Sequence, residues 1–175
     1  LYYTLFKGEA DAALMNEVCF DAFAIGNHEF DDGDEGLARF LDFLNQGDCN
    51  TPALAANILP ELGVSALAKK TMHDYLKPYT IINKNGMKIG VIGIDVVSKT
   101  MISSSPDPTT QFLDEKETAQ RYINELKLKG VNHIILLTHF QYKNDLILAK
   151  DLTGVDIIVG GDSHSLLGDF SELGL

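Results

Sequence analysis

The chain has 175 residues, 45% of them apolar, and carries a net charge of −11. That length fits one domain with a sizeable core, and that apolar share excludes a disordered chain. The acidic balance excludes a nucleic-acid duplex as partner, because duplex binding relies on Lys and Arg neutralising phosphates, but it leaves small phosphates open when cations mediate.

Gly8 to Val18 places apolar residues at 10, 13, 14 and 18, one face of a helix. Asp21 to Ile25 is a short apolar run stopped by Gly26, read as a buried strand entering a loop. Gly36 to Leu44 is helical again, and Ala53 to Ile58 is a further short apolar run ended by Pro60. Tyr79 to Asn83, then Asn85-Gly86, then Met87 to Ile94 reads as a β-hairpin, since both central positions of a type I′ turn need positive φ. Ser103 to Thr110, with two prolines and several hydroxyls, reads as a loop. Leu113 to Lys129 reads as a helix with an acidic start and a basic end, stopped by Gly130. His133 to Thr138 and Val155 to Val159 read as buried strands, with a short helix over Asn144 to Leu152 between them. Helices alternating with strands, plus one antiparallel hairpin, argue an α/β domain with mixed sheets.

Cys19 sits in an apolar run and reads as a small core residue, whereas Cys49, in a polar loop, is free or paired. Two cysteines do not make a disulfide framework, and the compartment stays open on cysteine usage. No apolar stretch approaches twenty residues, so no transmembrane span is expected, and no signal-peptide pattern is visible.

Three strand ends lead at once into metal-type ligands: Gly26-Asn27-His28-Glu29-Phe30-Asp31, Leu137-Thr138-His139, and Gly160-Gly161-Asp162-Ser163-His164. In open α/β sheets, sites form beyond the carboxyl ends of strands, so ligands from three such ends can converge. Asn, His and Asp suit Zn²⁺, Mn²⁺, Co²⁺ or Mg²⁺. Adjacent Asn27 and His28 diverge in extended backbone, so one can face metal and the other substrate; Asp162 and His164, two apart, would point the same way. The glycines at 26, 160 and 161 allow unusual φ and close approach to a ligand. The plainer reading gives each residue a structural role, with Asp162 capping a turn and Asn27 in a left-handed turn position. His28 and Asp31, three apart, are within reach of one another. A carboxylate there would fix the His28 tautomer, and His28 would then stabilise charge on a scissile phosphate or protonate the leaving oxygen. The alternative is that Asp31, Asp32 and Asp34 form an acidic solvated loop.

Gly26 to Asp31, Ala55-Ala56-Asn57-Ile58, Leu137-Thr138-His139 and Gly160 to His164 resemble, in order, the motifs of 5′-nucleotidases, members of the calcineurin-like metallophosphatase superfamily. The resemblance covers essentially the whole chain. It implies a metallophosphatase-type α/β/β/α sandwich with mixed sheets, and residues 1–175 as part of one catalytic domain, truncated at the N-terminus. It implies metal-dependent hydrolysis of nucleotide phosphoric monoesters, with in-line attack by an activated water. Asn27, His139, Asp162 and His164 would hold two divalent metal ions, and His28 with Asp31 would form the catalytic dyad. A nucleotide or another phosphate ester would be the substrate, and a periplasmic, secreted or cell-surface location would follow.

Two departures stand out. The family usually has His where this chain has Asp162, and an added carboxylate shifts preference toward harder ions. The Asp-x-His and Gly-Asp motifs, the latter supplying a bridging carboxylate, are not in the 175 residues, and the resemblance places them before Leu1. A C-terminal nucleobase-binding domain would follow Leu175. The chain alone is therefore expected to bind two metals weakly and to expose a sheet edge. Alternatives are a non-catalytic metal- or partner-binding member of the fold, a cyclic-nucleotide phosphodiesterase or a nucleotide-sugar hydrolase. Oligomeric state is not legible in the sequence.

Overall fold

The computed structural model describes residues 2–168. The chain opens with helices α1 (Tyr2–Phe6) and α2 (Glu9–Val18), strand β1 (Phe23–Ala24), a 3₁₀ turn (Asn27–Phe30) and helix α3 (Gly33–Leu44). Short strands β2 (Ala53–Leu54), β3 (Ile58–Leu59) and β4 (Leu76–Lys77) precede the hairpin β5 (Tyr79–Lys84) and β6 (Met87–Asp95). Helix α4 (Val97–Ser103), β7 (Gln111–Phe112), α5 (Glu115–Leu128), β8 (His133–His139), α6 (Tyr142–Asp151) and β9 (Ile157–Gly160) complete it.

The strands form a four-stranded mixed sheet, β5-β6-β8-β9, a parallel sheet, β1-β2-β4, and the antiparallel pair β3-β7. Helices α2 and α3 bury Ala12, Leu37, Leu41 and Leu44 against the three-stranded sheet. Helix α5 buries Ala119, Ile123 and Leu126 against Ile92, Ile94, Ile134 and Leu136 of the other sheet. β1 and β2 pack on β6, and the Ala56 amide donates to the Gly93 carbonyl at 2.8 Å, so the two sheets lie face to face between their helices. The α/β layering with mixed sheets is as the sequence motifs imply.

Local chemistry explains the helix ends and the hairpin. Asn85 and Gly86 both have positive φ, 50° and 79°, and Lys84 pairs with Met87 across a two-residue turn. Asp114 caps α5 by accepting from the Glu117 amide at 2.8 Å, one residue inside the expected start. Gly130, at φ 75°, ends that helix. Asn57 of the Ala-Ala-Asn-Ile run clips β6: its Oδ1 accepts from the Asp95 amide at 3.0 Å and its Nδ2 donates to the Asp95 carbonyl at 2.8 Å.

Several expectations are corrected. The loop expected over Ser103 to Thr110 is present from 104 on, and Ser103 instead ends a helix, Val97–Ser103. The Ala53–Ile58 run divides into two strands in different sheets. β8 and β9 are not buried on both faces. β8 alternates, burying Ile134, Leu136 and Thr138 while Ile135, Leu137 and His139 are partly open. Among the described residues β9 is an edge strand, with Ile158 packed inward and Ile157 and Val159 about half exposed, 53% and 49%. An all-apolar run signals burial only when both faces are covered, and among the described residues one face of β9 is not. Cys19 is exposed rather than in the core, and it pairs with Cys49 in a disulfide joining the end of α2 to the loop after α3.

Candidate metal centre and catalytic pair

The carboxyl end of β8 carries the first element of the site. Alternation turns Thr138 toward α6, where its Oγ1 donates to Asp145 Oδ1 at 2.8 Å, and turns His139 to the opposite face, toward the end of β1. There the backbone of Gly26 lies flat against the imidazole. A Cβ at position 26 would stand 2.8 Å from His139 Cγ and Cδ2. Gly26 is extended (φ −118°, ψ −176°), and neither Gly160 nor Gly161 is among the positive-φ residues, so closeness rather than unusual φ is what these three positions require. Gly161 lies against His139 Nδ1 and Gly160 against the Asp145 carboxylate.

After Gly26 the chain turns into the 3₁₀ helix, with the Glu29 carboxylate accepting from the Gly26 amide at 2.7 Å. Burial raises the Glu29 pKa, and the amide hydrogen bond opposes that rise. The tight turn, rather than extended backbone, separates Asn27 from His28: Asn27 is fully buried and His28 is exposed. Asn27 Oδ1 meets His139 Nε2 at 3.0 Å. His28 Nδ1 meets Asp31 Oδ2 at 2.9 Å.

Asp162 reaches the same place from beyond β9. Its Oδ1 is 3.4 Å from His139 Nε2, and its side chain is 2% exposed. The acidic-loop alternative describes Asp31 and Asp32, which are exposed, but not Asp34. Asp34 is buried, accepting from Thr110 Oγ1 at 2.5 Å, from the Asp107 amide at 3.1 Å and from Ser65 Oγ. Asp32 pairs with Lys7 at 2.9 Å.

His164 does not join this group. Asp162 and His164 have φ of 73° and 50°, so the backbone between them is coiled rather than extended, with Asp162 buried and His164 exposed.

Four contributors were not legible in the motifs. Lys99 of α4 donates to Asp162 Oδ1, Ser103 Oγ accepts from Asn27 Nδ2 at 3.2 Å, and Ser104 Oγ donates to Asp31 Oδ1 at 3.0 Å. Asp95, paired in register with His139 across β6 and β8, is buried, with Oδ2 accepting from Thr100 Oγ1 at 2.5 Å. Asp95 ends an apolar strand just as His139 does, and the strand-end pattern alone points to it. The α4 residues carry no such signal.

The electrostatics favour the neutral form of His139. Burial lowers its pKa, Asp162 opposes, and the charges of Lys99, His28 and His164 lower it further. Burial pushes Asp162 up, but the hydrogen bonds from Lys99 and Gln141 and the charge of Lys99 outweigh it and leave the carboxyl below its ordinary value. Burial pushes Asp95 up to about 7.

The donor atoms suit a divalent cation on this side. Neighbouring ligand atoms around an ion with bonds of about 2.1 Å lie roughly 3.0–3.4 Å apart in octahedral or tetrahedral geometry. Asn27 Oδ1, His139 Nε2 and Asp162 Oδ1 are spaced at 3.0 and 3.4 Å. Asp162 Oδ2 is buried with no hydrogen-bond partner among the described residues. The described residues hold no group of three or more His, Cys, Asp and Glu side chains arranged to hold a metal, and Asn27 is the third member here.

A probable 5′-nucleotidase of Treponema pallidum is 47% identical over 177 residues, covering all of this chain and 28% of that protein. Over its whole length, this chain is 5′-nucleotidase-like. The structure of the Haemophilus influenzae NAD nucleotidase superposes with a TM-score of 0.86 at 45% identity, over 96% of this chain and 31% of that one. A calcineurin-like phosphoesterase from Bacillus subtilis superposes with a TM-score of 0.69 at 25% identity, over 99% of this chain and 56% of that one. No protein-family model matches. The 5′-nucleotidase-like chain thus spans under a third of the length of its nearer relatives described above. Its mixed α/β fold is that of 5′-nucleotidases and calcineurin-like phosphoesterases.

Proposed function

We infer that this chain forms part of a metal-dependent hydrolase of nucleotide phosphoesters. The convergence of Asn27, His139 and Asp162 beside the His28–Asp31 pair, in a chain 47% identical to a probable 5′-nucleotidase, carries the reading.

Asn27, His139 and Asp162 would hold one divalent ion, with His164 contributing to a second from its exposed loop. When bound, the cations would supply positive charge to the phosphate oxygens and would acidify a water for in-line attack on phosphorus. The chain's own residues do the rest. Neutral His139 offers a lone pair, and buried Asn27 offers an oxygen fixed by its other contacts. Asp31 would accept the Nδ1–H of His28 and favour the imidazolium form, whose second N–H, at Nε2 of the exposed ring, would donate to a phosphate oxygen that gains charge and pass its proton to the leaving oxygen, leaving the neutral ring. The net charge of −11 does not oppose an anionic substrate when cations and His28 supply the local field.

Nucleoside 5′-monophosphates are the first substrate class. NAD is the second, favoured by the 45% identity to an NAD nucleotidase. The Cys19–Cys49 disulfide supports an oxidising location, periplasmic or extracellular. No helix among the described residues is long and apolar enough to cross a membrane.

The test uses the full-length protein, stripped with a chelator and reloaded with Zn²⁺, Mn²⁺, Co²⁺ or Mg²⁺. Phosphate release from AMP and cleavage of NAD are expected to vanish on stripping and to return with metal. Activity untouched by exhaustive chelation would falsify the reading, and a His28→Ala variant with the normal rate would exclude His28 from catalysis.

A further inference from the structure

Helix α4 meets the site with its last residues. The Ser103 hydroxyl donates to the Lys99 carbonyl at 2.7 Å, so its one proton is committed. Toward Asn27 it can only accept, and it accepts from Nδ2 at 3.2 Å. An amide side chain offers an oxygen on one side and a nitrogen on the other, and only the oxygen binds a cation. By taking the nitrogen, Ser103 turns Oδ1 toward His139 Nε2, 3.0 Å away. Ser104 acts on the neighbouring pair. Its hydroxyl donates to Asp31 Oδ1 at 3.0 Å, which leaves Oδ2 for His28 Nδ1 at 2.9 Å.

The helix itself is anchored away from the site. Thr100 Oγ1 donates to buried Asp95, the Val97 amide donates to Glu115 at 2.9 Å, and the Ser105 amide donates to the Phe30 carbonyl at 3.0 Å. That last bond ties the segment after α4 to the turn that carries Asn27 and His28.

We propose that Ser103 and Ser104 are positioning residues with separate tasks: Ser103 presents the Asn27 oxygen to a metal ion, and Ser104 sets the Asp31 carboxylate that orients His28. The proposal rests on reading Asn27 as a ligand and His28–Asp31 as the catalytic pair.

The experiment compares Ser103→Ala, Ser103→Thr, Ser104→Ala, Ser104→Thr and Asn27→Ala in the full-length protein. Mn²⁺ and Zn²⁺ dissociation constants are measured by calorimetry without substrate, melting temperature is measured in chelator, and kcat and KM are measured on AMP. Ser103→Ala is expected to weaken metal binding about 10- to 100-fold, the range for groups that orient ligands, with Thr restoring it. Ser104→Ala is expected to bind metal as the parent does and to lose roughly 10-fold in kcat at little change in KM, with Thr again restoring it. Parent-like metal affinity in Ser103→Ala overturns the first task, and parent-like kcat in Ser104→Ala overturns the second. Equal effects of both alanines on metal affinity and kcat, with lowered melting temperature and no rescue by Thr, overturn the division and leave α4 a mere support. A metal affinity untouched by Asn27→Ala identifies failure of the ligand reading itself, and it takes the Ser103 task with it.

Discussion

His139 Nε2 lies 3.0 Å from Asn27 Oδ1, although 112 residues of chain separate them. Neither residue reaches the other through a flexible loop. His139 is held by the register of β8 against β6, and Asn27 by a 3₁₀ turn whose first amide is tied to Glu29. A pair fixed from both sides by backbone is pre-set for a ligand and is sensitive to small displacements of either support.

Gly26→Ala is the most direct displacement. The new methyl would stand 2.8 Å from the His139 ring. Overpacking of this kind costs about 1–3 kcal/mol, and here the ring is what must yield. The variant is expected to remain folded, with a lower melting temperature, weaker metal binding in calorimetry and at least a ten-fold loss of kcat/KM.

Lys99 occupies the Asp162 carboxylate that a bound cation would also claim. Lys99→Ala leaves the buried carboxylate without its ammonium partner, which is expected to destabilise the chelated protein by about 1–3 kcal/mol. A bound divalent ion replaces the lost charge. Saturating Mn²⁺ is therefore expected to narrow the gap between Lys99→Ala and parent, and denaturant unfolding with and without metal measures it. A gap that metal leaves unchanged would mean that Asp162 does not face the ion.

Asp95 makes stability depend on pH. Burial lifts it to about 7, against an ordinary value of about 4. The folded state keeps a proton that the unfolded chain releases, so this contribution is fully present below about pH 4 and is lost as pH rises through about 7. A rise of three units corresponds to roughly 4 kcal/mol at most. Asp95→Asn removes that dependence. Between about pH 5 and pH 8, its stability is expected to fall less than that of the parent, as read from chelated samples unfolded in urea at each pH.

The Cys19–Cys49 bridge closes a loop with a sequence separation of 30. Cross-linking a loop of that size stabilises by roughly 3–4 kcal/mol through the unfolded chain. Reductant or Cys49→Ser is expected to lower the melting temperature by several degrees. Alkylation followed by mass spectrometry is expected to add no mass at these cysteines until reductant is present.

Much of the fold is legible because periodicity and turn chemistry are local. The hairpin at Asn85-Gly86, the acidic start of α5, the stop at Gly130 and the α3 face all lie where their residues point. Cys19 reads as core because its sequence neighbours Val18 and Phe20 are apolar, but in space it lies at an exposed helix end. α4 escaped because Val97–Ser103 has one buried residue, Thr100, and so no apolar stripe to announce it.

The site divides along the same line. Asn27, His28, Asp31 and His139 stand out in sequence because ligand-type residues just after a strand are a local pattern, and the His28–Asp31 contact spans three residues. What tertiary structure decided is the company they keep. Lys99 meets Asp162 across 63 residues, Ser103 meets Asn27 across 76, and Ser104 meets Asp31 across 73. No local pattern encodes such contacts, because they arise from how the sheets and α4 pack. The same packing separates Asp162 from His164, whose backbone coils where alternation would have kept them on one face.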